Sequence, residues 1–321
     1  MKNLTGNLLL LLFSIAIMFA IGEVASRFVS PISPGPSILD LNGNRQKISY
    51  IAPGKTFRIT TPDYDAQTSI TQDGYRSPLA KGNPETIFIG DSFTYAQGVS
   101  DQQTFPAIYC KAKGIQCANL GVPGASTLYE ADRLEYYLRK KNWSPNYVNL
   151  FFFTGNDFTD NLAASANRHK GIDYQPEEIN LASEEQKSLR QKIVETGLRY
   201  SNLLRVAFYK VLPIFRDNPQ QSETALNDAL KITRTEFLRL NALSEKYAFA
   251  LRIFIVFPQQ EIEQGIYKKL TEKIQSISPV SVIPLGELFK DNTAQYYFPT
   301  DGHFNVAGNK RLAEYLLEKH K

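Results

Sequence analysis

The chain has 321 residues, enough for one large or two medium domains with a proper core. A hydrophobic content of 43% and a charged content of 21% are those of a globular protein and exclude wholesale disorder. The formal net charge of +4 is small, and Lys and Arg are scattered among acids. The densest basic spot, Arg139-Lys140-Lys141, closes a helical pattern (Leu134, Tyr137, Leu138), where cations suit the helix macrodipole, so no nucleic-acid partner is implied.

Residues 1–28 stand apart. Lys2 precedes an apolar run from Leu8 to Ile21, which with the flanks Leu4 and Val24 approaches the ~20 residues that cross a bilayer. The segment reads as an uncleaved transmembrane signal anchor. Its rival is a signal peptide cut near the small residues of Ala20-Ile21-Gly22. Either reading exports everything after residue 28, to an extracytoplasmic (periplasmic or cell-surface) location if anchored and to secretion if cleaved. The orientation rests mostly on the short N-terminal tail, with Lys2 as its one basic residue. Cys110 and Cys117 are the only cysteines. In an oxidising compartment they close a small loop as a disulfide, or else they are two small buried side chains. No Cys/His cluster has metal-site spacing.

Residues 29–45, with Ser30-Pro31-Ile32-Ser33-Pro34-Gly35-Pro36, read as a semi-rigid tether. Residues 46–80 read as a small β-rich arm. Its strands are Thr56 to Thr60 and Ala66 to Thr71, with turns at Pro62-Asp63 and Asp73-Gly74. From residue 81 to 321 strand and helix alternate. Strand candidates are 86–90, Ile115 to Leu120, Tyr147 to Phe153, Leu251 to Phe257 and Val280 to Pro284, and helical patterns include Thr127 to Lys140 and Val306 to Lys319. Such alternation predicts a parallel sheet covered on both faces. One connection, about 158–248, is far longer than a crossover requires. It carries one helical pattern that begins at Ser183-Glu184-Glu185-Gln186 and runs through Leu189, Ile193, Tyr200, Leu204 and Phe208. A second runs through Leu226, Leu230, Thr233, Phe237 and Leu240. Its position predicts a lid over the sheet's active edge; the alternatives are an extension of the fold or a dimer contact.

The chemistry gathers around Thr86-Ile87-Phe88-Ile89-Gly90-Asp91-Ser92. The apolar run ending in glycine predicts a buried parallel strand with Ser92 just past its carboxyl end, where open α/β sheets do chemistry. A serine there offers a hydroxyl nucleophile and a backbone N–H, although a Ser or Asp at such a turn also serves simply to cap a helix. Three further blocks follow at strand ends or loops. They are Asn119-Leu120-Gly121-Val122-Pro123-Gly124-Ala125-Ser126, Gly155-Asn156-Asp157, and Asp301-Gly302-His303-Phe304-Asn305. In order and character these four blocks resemble the SGNH/GDSL family of serine hydrolases over nearly everything from Thr86 onwards.

The resemblance implies a flavodoxin-like three-layer α/β fold with a parallel five-stranded sheet. It also implies Ser92 as nucleophile, His303 as base and Asp301 as its acid partner, with an oxyanion hole from the Ser92 N–H, the Gly124 N–H and the Asn156 side-chain amide. No cofactor is implied. His303 stands out among three histidines: His320 adjoins the C-terminus, and His169 lies in a basic loop of the insertion. Many members of the family separate the acid from the histidine by two residues, whereas here only Gly302 intervenes, as in relatives that act on polysaccharide acetylation. In an extended segment residues i and i+2 share a face, so the pair can still meet; Asp157 and Asp160 are the alternative acids. The aromatics Phe93, Tyr95, Phe158 and Tyr296-Tyr297-Phe298 either line a sugar or acyl site or pack the core.

The expected activity is hydrolysis of an ester, with an O-acetylated or O-acylated envelope glycan as the favoured substrate. The rivals are a lipase or thioesterase on longer chains, an O-acyltransferase with a sugar acceptor, and a non-catalytic envelope scaffold or glycan-binding module.

Overall fold

A computed structural model describes residues 2–32, 54, 56–76, 82–168, 189–208 and 223–319 of the chain. The segment from Ser33 onwards in the tether, the Ser183 capping sequence, His169 and His320 lie outside the described residues.

A parallel five-stranded sheet forms the centre. β1 (Thr56–Thr60) and β2 (Asp65–Ser69) form a separate antiparallel hairpin. The main sheet contains β3 (Thr86–Gly90), β4 (Cys117–Asn119), β5 (Tyr147–Phe153), β6 (Ala250–Val256) and β7 (Val282–Pro284), in the order β4-β3-β5-β6-β7. Every pairing within it is parallel. β3 is buried at all of its positions, as a strand covered on both faces must be. Because β4 lies on one side of β3 and β5 on the other, strand order reverses between β3 and β5. The crevice at the carboxyl ends of those two strands is where this architecture binds ligands.

Successive side chains of a strand point to opposite faces, and the aromatic contacts divide accordingly. On one face Phe88, Phe151 and Phe254 form a chain of ring contacts with Phe105, which opens the helix Phe105–Lys113, and that helix packs against the helix Val306–Lys319. On the other, Phe152 meets Phe158 and Phe237, carried by the helices Asp157–Arg168 and Glu223–Tyr247. The result is three layers. Four strands are shifted or shortened relative to the sequence pattern: β2 spans Asp65–Ser69, β4 starts at Cys117, β6 spans Ala250–Val256 and β7 starts at Val282.

The long connection does not behave as a lid where it is described. Ala229, Phe237 and Leu240 on the helix Glu223–Tyr247 are fully buried in the main core, so that helix is a layer of the domain. The earlier pattern, running from Leu189 to Phe208, is divided. One helix covers Leu189–Tyr200, and a shorter one covers Asn202–Val206. Ser201 interrupts them with an extended backbone and accepts the Leu204 N–H on its hydroxyl. The break also faces the N-terminal helix (α1, Lys2–Val29). The carboxylate of Glu23 accepts the Ser201 hydroxyl and the N–H groups of Asn202 and Leu203, while Asn202 donates to Ser26 and Ser30. α1 contains the stretch Gly6–Val29, long and apolar enough to cross a membrane, with mean hydropathy 2.5 over its most apolar 18 residues, none of which is buried within the protein. Its length and composition suit a membrane anchor or a signal sequence.

Candidate active site

The turn after β3 is shaped for a serine. Asp91 caps the single-turn helix Ser92–Tyr95 by accepting the Phe93 N–H at 2.9 Å, and Ala96 ends it in the left-handed conformation. Behind this turn, Asn119 at the end of β4 donates its amide to the Thr94 carbonyl at 2.8 Å and accepts the Gly121 N–H at 2.9 Å. A Cβ on Gly121 would lie 2.4 Å from the Tyr95 nitrogen, so only glycine lets the second block approach the nucleophile turn this closely.

Ser92, His303 and Asp301 come together at the carboxyl edge of the sheet. His303 Nε2 lies 2.7 Å from Ser92 Oγ, and His303 Nδ1 is hydrogen-bonded to Asp301 Oδ1. With Asp301 holding a proton on Nδ1, Nε2 is left to accept the Ser92 hydroxyl. Burial opposes a charge on His303, but the hydrogen bond and charge of Asp301, with Asp91 beyond, outweigh it and raise the imidazole's pKa above the ordinary value. Asp301 is likewise resisted by burial yet held below the usual carboxylate range by His303 and by the Gln97 amide. Phe93 lies against the imidazole, 4.8 Å between ring centroids, and Phe304 backs Phe93 edge-on.

The close Asp–Gly–His spacing works through a turn and not through an extended strand. Gly302 has φ +80°, its N–H donates to the Phe298 carbonyl, and the Phe298 N–H donates to the His303 carbonyl. The chain therefore folds at the glycine and brings the two flanking side chains round to each other. The alternative acids are engaged elsewhere: Asp157 accepts the Phe153 N–H at 2.7 Å, and Asp160 accepts the Asn156 amide at 2.9 Å.

The three expected oxyanion donors sit on two strand ends and a loop. Ser92 opens its helix. Gly124 has φ +74° in a turn in which the Ala125 N–H donates to the Val122 carbonyl, with Pro123 before it, the signature of a type II turn. Asn156 precedes the helix Asp157–Arg168, and its amide nitrogen already holds Asp160, leaving one of its two N–H groups for another acceptor. The aromatics are packing residues. Tyr95 lies under the Arg76 guanidinium, Phe158 is in the core, and the Tyr297 hydroxyl donates to the Phe257 carbonyl. Three residues that contact the acid loop had no signal in the sequence: Asp63, Tyr64 and Gln97.

Residues 87–316 match the family model described as GDSL-like lipase/acylhydrolase. The chain belongs to the GDSL-like lipase/acylhydrolase family. It is thus a hydrolase of the class that cleaves esters, and the five-stranded parallel sheet is the fold expected of a GDSL-like hydrolase. Solved structures similar to this GDSL-like chain include an α/β hydrolase from the metagenome of Lake Arreo, Spain, at 13% identity and TM-score 0.40, covering 74% of this chain and 95% of that one. A catalytic mutant of an acetylxylan esterase from Geobacillus stearothermophilus aligns at 12% identity and TM-score 0.40, covering 76% of this chain and 97% of its own. No curated protein matches the chain.

Proposed function

We propose that this GDSL-like hydrolase is a membrane-tethered serine esterase that works through an acyl-enzyme on Ser92. The observation that carries the reading is the unbroken hydrogen-bonded path from Asp301 through His303 to Ser92 Oγ. Ser92 Oγ attacks the acyl carbon as His303 Nε2 takes its proton. Asp301 stabilises the imidazolium, and the negative oxygen is held by the N–H groups of Ser92 and Gly124 and by the Asn156 side-chain amide. The alcohol leaves with the proton from His303. Water then repeats the sequence and releases the acid.

The favoured substrate is an O-acetyl ester on an envelope glycan. Its support is the Asp301-Gly302-His303 spacing together with the apolar α1, which in this reading is a retained anchor that places residues 81–321 as the hydrolase domain, and 46–80 as its arm, outside the cytoplasm. Retention is favoured by the hydrogen bonds that tie Glu23, Ser26 and Ser30 to residues 201–203.

The test uses the full chain in detergent, assayed on chromogenic acetyl, butyryl and octanoyl esters and on an O-acetylated glycan. Acetyl preference and glycan deacetylation that Ser92→Ala abolishes are expected. A rate that rises with chain length would replace the acetyl substrate with a lipid or thioester one, and glycan-dependent transfer without hydrolysis would make the protein an acyltransferase. The intact mass of the mature protein tests the anchor: loss of the first 22 or so residues would replace it with a cleaved signal.

A further inference from the structure

The hairpin formed by β1 and β2 ends in a turn whose geometry is tightly set. Thr61 Oγ1 accepts the N–H groups of Asp63 and Tyr64, both at 3.2 Å, and the Thr61 N–H donates to the Tyr64 carbonyl. The two residues at the tip reach into the loop that carries Asp301. Asp63 Oδ2 accepts two consecutive backbone N–H groups of that loop, from Thr300 at 2.9 Å and from Asp301 itself at 2.6 Å. The Tyr64 hydroxyl donates to Asp301 Oδ2 at 3.4 Å, beside the Gln97 amide at the same distance, and the Tyr64 ring packs on Phe298 at 5.0 Å.

The segment just after the hairpin grips the other half of the site. Arg76 is 1% exposed, and its guanidinium donates to the carbonyls of Tyr95, the last residue of the Ser92 helix, and of Ala96 and Val99 just after it. It also donates to Thr68 on β2 and pairs with Asp101. All of these arm residues precede the stretch that matches the family model, which begins at residue 87.

We infer that the arm is a positioning device for the proposed esterase site, and that Asp63 is a positioning residue which sets where Asp301 stands relative to His303. The inference rests on the Ser92–His303–Asp301 reading. A carboxylate that takes two adjacent main-chain N–H groups fixes a backbone in the way a helix cap does, and here the fixed backbone bears the acid. The groups that face this part of the site are Asp301 and Asp91 around His303, and Tyr64, Gln97 and Asp63 around Asp301.

The test measures hydrolysis of a chromogenic acetate ester by the full chain over a range of pH, for wild type, Asp63→Ala, Asp63→Asn and Ser92→Ala. Asp63→Ala should lower kcat by about 10-fold or more with KM nearly unchanged, since small misplacements of catalytic groups cost this much. It should also move the acid limb of kcat/KM to lower pH, because a displaced Asp301 raises the His303 pKa less. Asp63→Asn keeps an acceptor oxygen in place and should restore most of the rate. If Asp63→Ala does not fold, Asp63→Glu serves in its place; its longer side chain shifts the loop and should change rate and acid limb in the same directions. A variant that loses thermal stability alone, with kcat and acid limb unchanged in the folded enzyme, would overturn the inference while Ser92→Ala still abolishes activity. Activity that survives Ser92→Ala would overturn the underlying reading, and this inference with it.

Discussion

His303 Nε2 stands 2.7 Å from Ser92 Oγ although 211 positions separate the two residues in the chain. The contact joins the end of the first sheet strand to the loop before the last helix. Replacing either residue by alanine should lower ester hydrolysis by more than about 10³-fold while leaving the circular dichroism spectrum unchanged. Retention of more than a few per cent of the rate in both variants would remove the acyl-enzyme reading.

The acid limb of the pH profile should lie above the ordinary histidine value of about 6.5. His303 acts as a base only when neutral, and Asp301 raises its pKa, so activity is lost as pH falls through that raised value. Asp301→Asn removes the charge and puts an amide beside Nδ1, which no longer holds the imidazole in the tautomer that leaves Nε2 as base. A fall in kcat of several orders of magnitude, with the residual acid limb displaced to lower pH, is the expected result.

Asn156 shares its amide nitrogen with Asp160, so only one N–H is free to meet an oxyanion. Asn156→Ala should reduce kcat by about 10²–10³-fold with little change in KM, the usual cost of one oxyanion donor. Asp160→Asn should have a smaller effect, since it alters how the donor is held and leaves the donor itself. Equal losses in the two variants would assign Asn156 a structural place.

Glu130 is 2% exposed, and neither of its carboxyl oxygens has a hydrogen-bond partner among the described residues. Burial, together with the charges of Asp91 and Asp160, holds its pKa well above the ordinary value. An acid whose folded-state pKa is raised keeps its proton in the native state after the unfolded chain has lost it. Its contribution to stability is therefore intact below the unfolded pKa and falls away as pH rises from there towards the folded value. Glu130→Gln should raise the melting temperature at pH 7 and change it little near pH 4. Thermal denaturation at the two pH values tests the sign.

Cys110, in the last turn of the helix Phe105–Lys113, is bonded to Cys117 at the start of β4, a separation of 7 residues. Closing so small a loop is worth about 2–3 kcal/mol in the chain-entropy account. The double replacement Cys110→Ala, Cys117→Ala should lower Tm by several degrees without affecting kcat. An unchanged Tm would show that the bridge adds nothing to the packing of two already buried side chains.

Much of this fold is written in local pattern. The all-apolar run before Gly90 has to be a doubly covered strand, and β5, the helix Thr127–Lys140 and the helix Val306–Lys319 lie where periodicity places them. The four blocks were legible for the same reason: each couples a strand end or helix start to small and polar residues within a few positions. What lay beyond reach depended on contacts between distant segments. The helical pattern through Leu189 and Tyr200 reads as continuous until Glu23, from the far end of the chain, supplies acceptors to the N–H groups of Asn202 and Leu203 and stabilises a new helix start. The pattern through Phe237 suits a lid as well as a core layer, and only packing against Phe152 decides between them. From spacing alone, Asp301 and His303 meet across an extended segment. The tertiary structure makes it a turn, because Gly302 tolerates a positive φ and because Asp63, from a hairpin more than two hundred residues away, takes up the N–H groups that the turn exposes. Periodicity is a property of one segment, whereas a carboxylate that satisfies another segment's backbone leaves no trace in either until the two are folded together.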